Sequence, residues 1–190
     1  MDNESSIDYG PEPISPDLTT LGINLVAVVK SDPRIFLVGS VAEYLQTGYT
    51  LSEALARAND IDVVIAESRF PHEEIDLKYE LARKIRSLGN AETIFSHPSQ
   101  EELEQCALVN TEFGHIRVAT LKTIAVSNVD SLLTDVRNVA NRRRTQYEPL
   151  KIAKKLERQI AFIKDESVVK QAKLALSFWE KVIKDHPRWF

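Results

Sequence analysis

Two stretches decide the reading of this chain: FLVGSVAEYL, residues 36–45, and NDIDVVIAE, which begins at residue 59. IFLV, residues 35–38, is a short apolar run that reads as a buried strand. Gly39-Ser40 closes it, and VAEYLQTG reads as a helix ending near Gly48. A glycine at that junction lets the backbone turn tightly and lets a ligand approach. The first amides of the following helix point outward without intrahelical partners, which suits a phosphate oxygen, and Ser40 adds a hydroxyl donor beside them. IDVVIA, residues 61–66, is β-branched and apolar and reads as a second buried strand. Asp60 and Asp62 straddle Ile61 at its mouth, so strand alternation turns both carboxylates to one side. Two such carboxylates repel one another unless a cation lies between them. Mg²⁺, or Mn²⁺ in its place, suits them, with substrate phosphates and water filling the remaining positions.

Around this centre the pattern is mixed. Residues 1–17, acidic and Pro-rich, read as a mobile leader unlike a secretory signal. LTTLGINLVAVV, residues 18–29, has helical spacing, Ser31-Asp32-Pro33 signals a turn, and Thr50-Leu51-Ser52-Glu53 starts a short helix. After Phe70-Pro71, HEEIDLKYELARKIRSLG reads as an amphipathic helix stopped at Gly89. ETIFSH, residues 92–97, predicts a third strand, and residues 107–120 predict a hairpin around Glu112-Phe113-Gly114. The remainder is helical in pattern, about three helices, with Ser127 and Asp130 spaced as a capping box. The fold class expected is α+β (mixed α/β): a mixed sheet flanked by helices, with a C-terminal helical part. Three segments follow: a leader over 1–17, an α/β core over 18–125 and a helical region over 126–190.

Charge is uneven. Residues 1–114 hold 8 Lys and Arg against 20 Asp and Glu, whereas residues 115–190 hold 16 against 8. The halves therefore carry −12 and +8, which points to mutual attraction or to a basic surface for a polyanion. Arg142, Arg143, Arg144, Lys151, Lys154 and Lys155 are the candidates for an RNA contact. The single cysteine, Cys106, forms no internal disulfide and fits a reducing cytoplasm; it reads as a small buried apolar residue. No run approaches the roughly 20 apolar residues a membrane helix needs. Dinucleotide, P-loop and nucleophile-elbow motifs are absent. His97 and His115 read as surface imidazoles with a possible phosphate contact, Trp179 as core and Trp189 as an exposed contact.

The order strand, Gly-Ser, helix, Asp-x-Asp strand resembles the nucleotidyltransferase superfamily with the polymerase-β-like fold, and among its small bacterial or phage-type members the abortive-infection toxin branch. The residues carrying the likeness are Gly39, Ser40, Asp60 and Asp62, within residues 35–66; GHIRVATLKTIAVS extends it more loosely. The resemblance implies Mg²⁺-dependent transfer of a nucleoside monophosphate from an NTP to an acceptor hydroxyl, with pyrophosphate leaving. It also implies a third carboxylate on the next strand. Glu92 stands where many relatives have aspartate, and with Asp60 and Asp62 completes the implied catalytic and metal-binding set; Glu112 is the fallback. A lysine that many relatives carry after the last strand is replaced here by Val126-Ser127-Asn128. The acceptor implied is RNA, protein or a small molecule, with RNA or tRNA met by the basic C-terminal helices. Two other readings stand beside this one: a catalytically degenerate binding or regulatory protein of a toxin–antitoxin or phage-defence pair, and a structural homodimer.

Overall fold

The β-branched runs at the centre of the chain assemble into one five-stranded mixed sheet. In the computed structural model, which describes residues 17–66, 71–89, 91–96, 103, 106–141, 143, 145 and 148–185, five strands appear: β1 (Ile35–Leu37), β2 (Ile61–Ala66), β3 (Ala91–Ser96), β4 (Ala107–Thr111) and β5 (Gly114–Val118). Their order is β3-β2-β1-β5-β4. β1 runs antiparallel to β2, with Phe36 opposite Val64, and parallel to β5. β3 is parallel to β2 throughout, and β4 closes the other edge as an antiparallel hairpin partner of β5.

Pleating sorts the strand residues onto two faces. Ile35, Leu37, Val63, Ile65, Ile116 and Val118 are fully buried. They pack with Leu25 and Val29 of helix α1 (Leu18–Ser31) and with Leu81 and Ile85 of helix α4 (Ile75–Arg86). Phe36, Asp62, Val64, Glu92 and Ile94 alternate with these residues and so lie on the opposite face. Helices α2 (Gly39–Gln46) and α3 (Leu51–Arg57) fill the connection between β1 and β2. α3 carries a complete capping box, Thr50 with Glu53. Arg34, just before β1, ties the turn after α1 to the start of α4, pairing with Asp32 at 2.5 Å and Glu74 at 2.6 Å.

Over its described residues the C-terminal third consists of helices and their connections: α5 (Leu121–Ala140), α6 (Pro149–Ile160) and α7 (Glu166–Asp185). These three enclose a second apolar cluster built around Leu132, Leu156, Ala172 and Trp179. The boundary drawn at 125/126 falls inside α5, where Ile124 belongs to the first cluster and Ala125 to the second. The capping box expected at Ser127 is not one. Ser127 lies two turns inside α5, and Thr120 is the cap, its hydroxyl accepting from Thr123 N at 3.2 Å. The local spacing of Ser127 and Asp130 was right for a cap, but the apolar face of α5 begins earlier, at Leu121 and Ile124.

A buried polar cluster fastens the helical region to the sheet. Glu43 of α2 is only 3% exposed. Its carboxylate accepts from Arg158 Nη2 at 3.1 Å and from Gln159 Nε2 at 3.0 Å, both on α6. Gln159 in turn accepts from Asn128 Nδ2 of α5 at 3.2 Å. α2, α5 and α6 are thereby held together directly behind the Gly39 turn.

Candidate functional site

β1 ends at Leu37, and the chain enters α2 through Gly39 at φ +65°, a region that L side chains rarely adopt. The absent side chain leaves room for another residue. A Cβ built on Gly39 would lie 2.1 Å from Oδ2 of Asp62 and 3.1 Å from its Cγ. The Asp62 carboxylate therefore rests on the turn itself. Backbone pairing holds it there, since Val38 N donates to Asp62 O at 3.0 Å. No side chain caps α2, whose N-cap is Val38.

Glu92 is the register partner of Asp62 across the β2–β3 ladder. Parallel neighbours lie about 4.8 Å apart with side chains on the same face, so the position of the third carboxylate expected on this strand neighbours that of Asp62 in the ladder. Asp60 precedes β2 by one residue. The Asp62 carboxyl is pushed above its ordinary value first by burial, then by the negative charge of Asp60 and, to a smaller degree, of Glu92; Lys155 and Lys151 oppose the rise. Among the described residues no group of three or more His, Cys, Asp or Glu side chains is drawn together closely enough to hold a metal ion by itself. The donors at hand are hard carboxylate oxygens. Mg²⁺ usually takes only one or two of these, with phosphate oxygens and water supplying the rest, so such an ion would not need Asp60, Asp62 and Glu92 all at once.

Two clefts meet at this point. One, of about 410 Å³, is lined by Phe36, Gly39, Asp62, Val64, Ile94 and Lys155, with the start of α5 along its side. The other, of about 340 Å³, lies between α2 and α6 and takes in Ser40, Asp60 and a row of cations. Lys155 lines both. The two aspartates expected to turn to one side line different spaces, Asp60 the cationic cleft and Asp62 the one over the sheet, because Asp60 precedes β2 and strand alternation does not govern it.

The structure gives Glu112 a different role from the fallback assigned to it. Its oxygens accept from Leu51 N at 2.9 Å and Ser52 N at 2.8 Å, capping α3 from across the fold. Partial burial works against ionisation, but these amides and the Ser52 hydroxyl outweigh it and hold the carboxyl at about 2. The hairpin tip points at a helix end rather than at solvent. His115, also in the hairpin, is exposed and bonds Asn110 on β4. Cys106 is half-buried against the first core, and Trp179 is buried in the second. His97, Arg142, Arg144 and Trp189 lie outside the described residues.

Sequence reasoning missed how α6 enters the site. Lys151, Lys154 and Lys155 were candidates for RNA, not neighbours of the aspartates. The available signal was spacing: with Arg158 they fall at i, i+3, i+4 and i+7, one stripe opposite the apolar Ala153 and Leu156. Glu43 was missed as well, though a glutamate within the apolar VAEYL run called for a partner. No protein-family model, no curated protein and no solved structure matches this chain. The functional reading accordingly rests on its own residues.

Proposed function

We propose that this chain binds a nucleoside triphosphate with Mg²⁺ or Mn²⁺ and transfers the nucleoside monophosphate to an acceptor hydroxyl. The observation that carries the reading is the seat of Asp62: packed on the Gly39 turn, paired in register with Glu92, and within electrostatic reach of Asp60 and Lys155. A plain strand-to-helix turn needs none of these. In this reading Ser40 and the cations of α6 receive the β- and γ-phosphates, and the α-phosphate lies between the two clefts. The acceptor hydroxyl enters over the sheet, beside Glu92. A new bond forms between acceptor oxygen and α-phosphorus, the α–β bridging bond breaks, and pyrophosphate leaves through the cationic cleft with its electron pair. Glu92 orients the hydroxyl and takes its proton. The divalent ion, when bound, neutralises charge on the attacking and leaving oxygens.

A second reading is favoured by one observation, the lack of a ready three-carboxylate group among the described residues. On it, the chain binds a nucleotide without turnover, as a regulatory member of a two-protein defence or toxin–antitoxin system. Thermal melting with each NTP, with and without Mg²⁺, tests both readings: ligand at about 100 times its Kd stabilises by about 2.7 kcal/mol. Absence of any shift removes both. Transfer of labelled NTP to RNA, protein or small-molecule acceptors then separates the enzyme from the binder. The homodimer has weaker support, because Glu43 with Arg158, and Asp62 with Lys155, already bring the acidic and basic halves together within one chain.

A further inference from the structure

The cleft between α2 and α6 has a charge pattern that a metal-escorted triphosphate does not require. Five cationic side chains line it, Arg57, Lys151, Lys154, Lys155 and Arg158, against the single carboxylate of Asp60. Two of the five are committed elsewhere. Arg57 lies over the Tyr49 ring, 4.7 Å from its centroid, and Arg158 is paired with Glu43. Lys151 has a loose partner in Glu148 at 3.3 Å, on a carboxylate that is 74% exposed. Lys154 and Lys155 have no ion pair among the described residues. Like charges gathered in one concave space raise its free energy until an anion enters.

The arrangement also has a length. From Lys151 to Arg158 the helix advances about 10 Å, and the four cations share one face. Opposite them stand the Ser40 hydroxyl, at the start of α2, and Arg57, at the end of α3. Cations reaching one pocket of about 340 Å³ from α3 and α6 suit a short, densely charged chain. A polynucleotide would need an open track instead. The Glu43–Gln159–Asn128 cluster fixes the height of α6 over α2, so the lysines are positioned before any ligand arrives.

We propose that this cleft is a metal-independent site for a polyphosphate tail, gripped by Lys151, Lys154 and Lys155, which holds the tail whether or not a divalent ion is bound at the neighbouring carboxylates. The identity of the tail as that of a nucleoside triphosphate rests on the reading given above; the binding of polyphosphate does not. Calorimetry with sodium tripolyphosphate at low ionic strength in EDTA tests it on the full chain. Saturable binding is expected, at least ten-fold weaker for Lys154→Ala and for Lys155→Ala, unchanged or tighter for Asp60→Asn, and weaker with rising salt. Lys154 is exposed, so its variant keeps the fold if the half-buried Lys155 variant does not. Tripolyphosphate that fails to bind in EDTA, while ATP with Mg²⁺ binds, overturns the inference and leaves the nucleotidyltransferase reading standing. Failure of both ligands overturns both. Binding indifferent to the two lysines places the anion elsewhere and also overturns it. A decamer of uridylate that binds more tightly than tripolyphosphate through the same lysines replaces this site with a polynucleotide track.

Discussion

Gly39 and Asp62 share one volume: the space a side chain would fill at residue 39 is taken by Oδ2 of residue 62, 2.1 Å from where a Cβ would stand. The turn that opens α2 and the first carboxylate-bearing position of β2 are therefore one structural unit. Gly39→Ala strains a backbone at φ +65°, worth about 1–2 kcal/mol, and also displaces Asp62. The expected result is a melting temperature lower by about 5 °C and loss of Mg²⁺-dependent NTP binding. In an Asp62→Ala background the same substitution should cost measurably less. Equal costs in the two backgrounds would show that the residues do not compete.

Asp62 is charged against its surroundings. Its folded pKa is raised above 3.8, so ionisation costs stability as pH rises through that value and the cost persists at neutral pH. Asp62→Asn should melt at or above the wild-type temperature at pH 7, with the advantage disappearing below pH 3.8, while NTP binding is lost. A variant that unfolds would make the aspartate a structural residue.

Glu92 separates binding from transfer. Glu92→Gln keeps the strand register and the size of the side chain, so NTP-dependent thermal stabilisation should persist at near wild-type strength. Transfer of labelled nucleotide should fall below detection. Retained transfer would remove Glu92 from the chemistry.

Glu112 has the opposite sign of pH dependence. Its carboxyl is held at about 2 against an ordinary 4.5, so its stabilisation is complete above 4.5 and is lost as pH falls toward 2. Glu112→Gln should cost about 1 kcal/mol at pH 7, the size of a helix cap, with the difference from wild type closing near pH 2. Nucleotide binding should be unaffected; an effect there would reopen the fallback role.

Glu43→Ala removes the acceptor for Arg158 and Gln159 behind the site. The expected cost is about 2–3 kcal/mol, as for charged hydrogen bonds. Amide exchange should accelerate in α6 before the sheet responds. Uniform acceleration throughout the chain would mean that this cluster does not fasten the helical region.

Local chemistry made much of this architecture legible. IDVVIA occupies β2 from end to end because β-branched and apolar residues, interrupted only by Asp62, suit a strand buried over most of both faces. The strand at 35–37 and the hairpin turn at Glu112-Phe113 follow from equally local signals. The cap of α5 was misassigned because Thr120 and Ser127 are both acceptable caps, and only packing against the sheet selects between them. The site divided along the same line. Gly39, Ser40, Asp60 and Asp62 belong to two neighbouring strands and their connections, so their proximity follows once the strands pair. Lys155 reaches Asp62 across more than ninety residues of chain, and its position depends on Glu43 lying buried, which no spacing rule states.

The hairpin formed by β4 and β5 is pinned at its tip as well as along its length. Glu112 caps α3, and the Phe113 ring fills the space a side chain would need at Gly22 of α1, where a Cβ would lie 2.4 Å from it. β4 is an outer strand, the kind most prone to slide by a residue or to pair with a neighbouring molecule. A slip of one position would withdraw the carboxylate from α3 and the ring from α1 together. Correct alignment of this edge is thus proofread by two helices that come earlier in the chain, and damage at Gly22 should surface first as misaligned, aggregating β4 rather than as a broken helix.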